Sequence, residues 1–139
     1  MKRVILLSTV LMVAFLMTAC ATTYDDFDHL DHWEDIETVD QSEDERFFLY
    51  AYFEDCPACD GIKDDVFDAA RNAEDPVYFI DVHSVEGEPT IDFPGAVPAL
   101  YVFEERELSK AYDTNTYEGP NLVPAILEAL EKIEAGDYW

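Results

Sequence analysis

The chain has 139 residues, with 8 Lys and Arg against 32 Asp and Glu, a formal net charge of −24. That length suits one domain with one proper hydrophobic core, not two. The charge excludes binding to nucleic acid by phosphate neutralisation and disfavours a polybasic contact with anionic lipid, while 9 Phe, 8 Tyr and 2 Trp argue against a disordered acidic chain.

The first twenty residues read as a targeting segment. Lys2 and Arg3 are followed by an almost wholly apolar run from Val4 to Met17, and no acid occurs before Asp25. A charged start, an apolar stretch and then small residues is the layout of a secretory signal. Val4 to Ala19 is 16 residues, short of the ~20 needed to span a bilayer. The ending Met17-Thr18-Ala19-Cys20 resembles a bacterial lipoprotein signal, in which the Cys is lipidated and becomes the new N-terminus. This resemblance implies that residues 1–19 are removed, that Cys20 carries the lipid and that the protein is extracytoplasmic, anchored to a bacterial membrane. The mature chain then keeps 6 Lys and Arg against 32 acids, a net −26, and two further cysteines, Cys56 and Cys59. Disulfides persist in that compartment.

Residues 20–45 read as an acidic tether, with 11 acids and no Lys or Arg between 24 and 45. Such a run is usually a solvated spacer. Leu30, Trp33 and Ile36 nevertheless recur at helical spacing, which predicts a short amphipathic helix at about 29–40 that Trp33 would dock on the domain. The domain itself is placed at 46–139. The run "FFLYAYF" (47–53) reads as a buried strand. Ile62, Val66, Phe67 and Ala70 share one face of a helix from about Cys56 to Arg71, with Pro57 in its first turn. "VYFIDVH" (77–83) is a second buried strand, so the unit is a right-handed βαβ with parallel pairing. Residues 84–98, with Gly87, Pro89, Pro94, Gly95 and Pro98, read mostly as loop. "ALYVFEE" (99–105) and a strand at roughly 108–113 make a hairpin. A final helix opens after Gly119 and Pro120, with Asn121 as N-cap, an apolar stripe from Leu122 to Ile133, and Gly136 as its stop.

The chemistry lies at Cys56-Pro57-Ala58-Cys59. Two cysteines three apart at a helix start face a common point, a spacing that allows a small disulfide ring. The first lies where unpaired backbone N–H groups and the helix dipole stabilise an anion, which biases it toward the nucleophilic thiolate. The second, less exposed, can resolve a mixed disulfide. A CxxC between a buried strand and a helix, followed by another buried strand, is a far stronger signal than the motif alone.

From about 46 to 135 the sequence resembles the thioredoxin-like family, on the strand, redox motif and helix of "FFLYAYFEDCPACDGIKDDVF" and on Val97-Pro98 just before "ALYVF". The resemblance implies an α/β fold with a central mixed sheet of about four strands flanked by helices. It also implies that Cys56 attacks, that Cys59 resolves, and that Pro98 is a cis proline facing the pair, with Val97 and Pro98 holding the substrate chain extended. It is closest to small membrane-tethered members with CPxC-type motifs. The chain departs from the pattern at two places. Asp55 stands where a Trp often precedes the first Cys. Tyr50 stands where a buried acid is common, which leaves Glu54 as the candidate proton acceptor for Cys59.

These observations predict a thiol–disulfide oxidoreductase with no cofactor beyond its own redox-active Cys56–Cys59 disulfide. Its expected partners are substrate proteins with thiols or disulfides and a membrane electron donor or acceptor, with no nucleic acid; the protein is expected to be a monomer. Glu54, Asp55, Asp60, Asp64 and Asp65 crowd the motif with only Lys63 opposing. Nearby negative charge raises a thiol pKa, so Cys56 should be less acidic than in strongly oxidising relatives, and the direction should lean toward reduction. Two alternatives stand beside this. One is a zinc or copper site combining the cysteines with His29, His32 or His83. The other is a thioredoxin-fold binding module without turnover. "DTNTYEG" (113–119) lacks EF-hand spacing, and no metal ligand set is assigned.

Overall fold

The structure, a computed structural model, describes residues 22–40, 46–119 and 121–137. The targeting segment, Cys20, the junction at 41–45, Pro120, Tyr138 and Trp139 lie outside the described residues. The elements in chain order are α1 (Asp35–Asp40), β1 (Arg46–Tyr52), α2 (Pro57–Asp60), α3 (Lys63–Asn72), β2 (Val77–Asp81), β3 (Ala99–Glu104), β4 (Glu107–Tyr112) and α4 (Leu122–Ala135). The expected strands are all present within two residues of their predicted ends.

The sheet order is β2-β1-β3-β4. β1 runs parallel to β2, with Phe48 opposite Val77 and Tyr52 opposite Asp81. It runs antiparallel to β3, with Phe47 opposite Phe103 and Ala51 opposite Ala99. A strand flanked on both edges and covered on both faces must be apolar throughout, and every residue from Phe47 to Tyr52 is buried. Alternation then sorts the side chains. Phe48, Tyr50 and Tyr52 point toward α3 and α4, into a core that also holds Val66, Phe67, Ile126 and Leu130. Phe47, Leu49 and Ala51 point the other way, toward Leu30, Trp33, Ile36 and Tyr101.

The helix predicted as one piece from Cys56 to Arg71 is two. The first turn ends at Gly61, and Ile62 breaks the helical path before α3 begins, with φ −122° and ψ 8°. The periodicity was legible because Ile62 and Val66 both face the core on either side of the break. At the far end Gly136 closes α4 in the left-handed conformation at φ 64°, its N–H donating to the carbonyls of Ile133 and Lys132. Glycine is the residue that adopts this cap without a steric penalty. Asn121 caps with its backbone only, since its side chain makes no capping hydrogen bond.

The described part of the acidic segment is not a free spacer. Tyr24, Leu30, Trp33 and Ile36 are buried, each at 7 % exposure or less. Residues 28–30 run along the outer edge of β2: the Phe79 N–H donates to the Asp28 carbonyl and the Leu30 N–H to the Phe79 carbonyl, both at 2.9 Å. The pairing is parallel, so the segment adds a rudimentary fifth strand. It crosses that edge with Tyr24 and Phe27 on one face of the sheet and Leu30, Trp33 and Ile36 on the other. The acids between them remain outside, which is why charge alone reads as spacer. The predicted helix at 29–40 is confined to Asp35–Asp40, because its first half is committed to the sheet edge.

Between β2 and β3 the chain forms no helix, as its prolines and glycines predict. Instead the loop is laced to the N-terminal segment. The Glu86 N–H donates to the Asp31 carbonyl at 2.9 Å and the Trp33 N–H to the Glu86 carbonyl at 3.0 Å. The Thr90 hydroxyl donates to the Trp33 carbonyl at 3.2 Å, and the Trp33 and Phe93 rings lie 5.3 Å apart.

Candidate redox site

β1 ends at Tyr52, and the turn after it delivers Cys56 to the start of α2. Cys56 is the N-cap, with extended backbone (φ −92°, ψ 107°), and the Cys59 N–H donates to its sulfur at 3.1 Å. Pro57 occupies the first helical position, where no N–H is required. Cys56 and Cys59 are joined in a disulfide with Cα atoms 5.2 Å apart. Both are buried, at 4 % and 1 % exposure.

Across from the pair lies the end of the loop before β3. The Val97–Pro98 peptide is cis, Pro98 is buried and Val97 half-buried, and the Cys56 sulfur is 3.9 Å from the Val97 carbonyl oxygen. The structure therefore brings together four of the residues singled out from sequence: Cys56, Cys59, Val97 and Pro98. Glu54 does not join them. It is exposed in the turn, and among the described residues no hydrogen bond links it to either cysteine. Asp55, Asp60, Asp64 and Asp65 are also exposed, so they surround the motif as a solvated rim. The Lys63 ammonium lies over two rings, 5.1 Å from the centre of Tyr24 and 5.7 Å from that of Phe67.

The back wall of the pair consists of tyrosines. The Tyr24 hydroxyl donates to the Cys59 carbonyl at 3.4 Å, and its ring stacks on Tyr52 with centroids 3.8 Å apart. Tyr50 is fully buried beside them. Burial pushes all three phenols up from their ordinary value. Their neighbours modify this: Tyr50 lowers Tyr24, Tyr24 raises Tyr50 further, and the Asp81 carboxylate raises Tyr52. The groups behind the disulfide are therefore neutral at any physiological pH. Sequence reasoning registered Tyr50 only as a departure and missed Tyr24, which carries no local signal inside an acidic run.

The histidines do not converge on the cysteines. The His29 ring is 2.9 Å through Nε2 from the Tyr24 carbonyl oxygen and stacks on Phe79. His83 stacks on Phe53 at 4.3 Å, and His32 lies 3.8 Å from Glu86. Among the described residues no three His, Cys, Asp or Glu side chains cluster in a way that could hold a metal ion.

No model of a protein family matches the sequence, and no curated protein matches it either. The fold, however, is that of the thioredoxins. The thioredoxin of Fasciola hepatica superimposes with a TM-score of 0.59 at 16% identity, over 76% of this chain and 98% of that one. Oxidised mitochondrial thioredoxin 3 from Saccharomyces cerevisiae gives 0.57 at 14% identity, over 80% and 99%. Plasmodium falciparum thioredoxin gives 0.54 at 16% identity, over 76% and 97%. A span of 76% of 139 residues, about 106, exceeds the 94 residues from 46 to 139, so the likeness reaches back into the acidic segment. The four-stranded mixed sheet flanked by helices, expected from sequence, is shown, and the CxxC disulfide stands at the end of its central strand.

Proposed function

We propose that the protein is an extracytoplasmic thiol–disulfide oxidoreductase that reduces, or relays electrons to, protein disulfides through Cys56 and Cys59. The observation that carries this reading is the disulfide at the start of α2 with the Val97 carbonyl against its first sulfur. In the reduced protein the Cys56 thiolate attacks a substrate disulfide. A mixed disulfide forms and one substrate thiolate leaves with a proton from water. Cys59 then attacks the Cys56 sulfur, the Cys56–Cys59 bond closes and the second substrate thiol departs. Two electrons have passed to the substrate, and a membrane donor protein returns the pair to the dithiol. The extended backbone at Val97 and Pro98 holds the substrate chain beside Cys56. The lipid on Cys20 keeps the protein at a bacterial membrane, as the signal-like start supports.

The exposed acids around the motif favour a Cys56 of only moderate acidity and hence a reducing role. The test is a titration of the purified protein against glutathione and dithiothreitol, read by thiol alkylation and mass. A potential near about −270 mV is expected for a reductase or carrier, and one near about −120 mV identifies a disulfide-forming oxidant. Cys56→Ser is expected to abolish reduction of a protein disulfide completely. Full activity in that variant, or a disulfide that never opens, would leave only a binding module.

A further inference from the structure

The acidic segment is held to the domain from its first described residue onward. The Arg71 guanidinium donates to the Thr22 hydroxyl at 2.7 Å, and the Thr23 N–H donates to the Asp26 carboxylate at 2.8 Å. Tyr24 is buried and stacked on Tyr52, with its hydroxyl on the Cys59 carbonyl. Phe27 stacks on Phe67 of α3 and on Phe79 of β2, at 4.7 Å in both pairs. In the sequence only Ala21 separates Thr22 from Cys20. Two residues reach about 7 Å at full extension, and the four from Cys20 to Tyr24 about 14 Å. A lipid on Cys20 is therefore joined to the domain without a spacer.

The docked segment also sets which side of the domain carries the anchor. The cleft beside Thr22 follows α3 from Lys63 to Arg71, with Asp64, Phe67 and Asp68 between, and α3 starts four residues after Cys59. Two cations match two acids along that cleft, in a chain that is otherwise strongly acidic. An anionic leaflet repels an acidic domain, so on a flexible spacer the domain would stand off the bilayer. We propose that the redox pair works at the membrane surface, and that its substrates are disulfides of proteins in the same membrane, carried close to the bilayer. The α3 flank beside Thr22 faces the lipid. Cys56, in the turn just before that helix, stays near the surface, and a disulfide held far above the bilayer is out of its reach.

This inference rests on the lipid at Cys20 and the thiol exchange proposed above, and the experiment separates the three. The protein is purified from membranes, its lipid verified by mass, and placed in phosphatidylcholine vesicles. It is reduced with dithiothreitol and freed of the excess. The probe is a fluorogenic peptide disulfide fixed to lipid headgroups, either directly or on a rigid polyproline spacer of about 60 Å. The wild type is expected to reduce the close probe at least tenfold faster than the tall one. A variant with twenty Gly and Ser residues inserted between Ala21 and Thr22 should narrow that ratio to under threefold, with its glutathione equilibrium unchanged. Equal wild-type rates at the two heights, or an inserted spacer that leaves the ratio intact, would overturn the proposal. A Cys20 without lipid overturns it as well but leaves the thiol chemistry standing. Failure to reduce either probe or soluble insulin overturns the oxidoreductase reading with it.

Discussion

The two faces of the sheet are built on different terms. One is covered by α3 and α4, regular helices whose apolar stripes meet Phe48, Tyr50 and Tyr52. The other is covered by Leu30, Trp33 and Ile36 of the acidic segment and by a loop rich in proline and glycine, which together bury Leu49, Ala51, Ile80 and Tyr101. The redox pair belongs to the first face through Cys59 and Ile62. The Val97–Pro98 wall opposite it is the end of the loop on the second. A site of this kind therefore requires the irregular face to be as firmly held as the regular one.

That requirement gives the largest expected effect. Trp33 is 4 % exposed, and its backbone N–H and carbonyl both hold the loop that leads to Pro98. Trp33→Ala is expected to destabilise the protein by about 3–5 kcal/mol, comparable to Ile126→Ala on the helical face at about 2–5 kcal/mol. Denaturant melts should show a single transition in both variants. A loss under about 1 kcal/mol for Trp33→Ala, or a separate early transition, would break the equivalence and make the N-terminal segment an appendage.

The contrast also explains what could be read from residues alone. The strands, α4 and the motif were legible because a helix or strand buried on one face repeats its apolar positions at 3.6 or 2.0 residues. Val66, Phe67, Ile126 and Leu130 obey that period. The N-terminal cover was half legible: Leu30, Trp33 and Ile36 marked an apolar stripe, but the edge pairing of residues 28–30 depends on backbone N–H and carbonyl groups, which leave no trace in side-chain pattern. Tyr24 was invisible for a related reason, since its contact with Cys59 spans 35 residues. Glu54 was named as an acceptor by sequence adjacency, yet the turn after β1 aims it at solvent.

A smaller effect sharpens the comparison away from either face. The β3–β4 turn places Glu105 and Arg106 at φ 51° and 70°. Two left-handed residues suit the twist of a two-residue hairpin, but a side chain with a Cβ is strained there, by roughly 1–2 kcal/mol per residue. Arg106→Gly should relieve part of this and stabilise the protein by about 1 kcal/mol, visible as a higher melting temperature. The redox potential should not move, because the turn lies at the opposite end of the sheet from Cys56. A potential shift in this variant would mean that the hairpin and the site are coupled.

The smallest effect sits at the same end, where Arg46 ties the start of β1 to Glu104 at the end of β3 (2.8 Å) and to Asp75 (3.4 Å) before β2. The Ser109 hydroxyl, 2.7 Å from the other Glu104 oxygen, and the Arg46 guanidinium hold the Glu104 carboxyl below the usual carboxylate range. A carboxyl depressed in the folded state adds stability that is fully present above its unfolded value and is lost as pH falls through the folded one. Glu104→Gln should therefore cost under about 1 kcal/mol at neutral pH and nothing in strong acid, so the two stability curves converge as the pH falls below the ordinary glutamate value of 4.5. Parallel curves would mean that the residue acts through packing and not through its charge. Because this cluster joins three strands at the end away from the cysteines, the variant should leave the glutathione equilibrium unchanged.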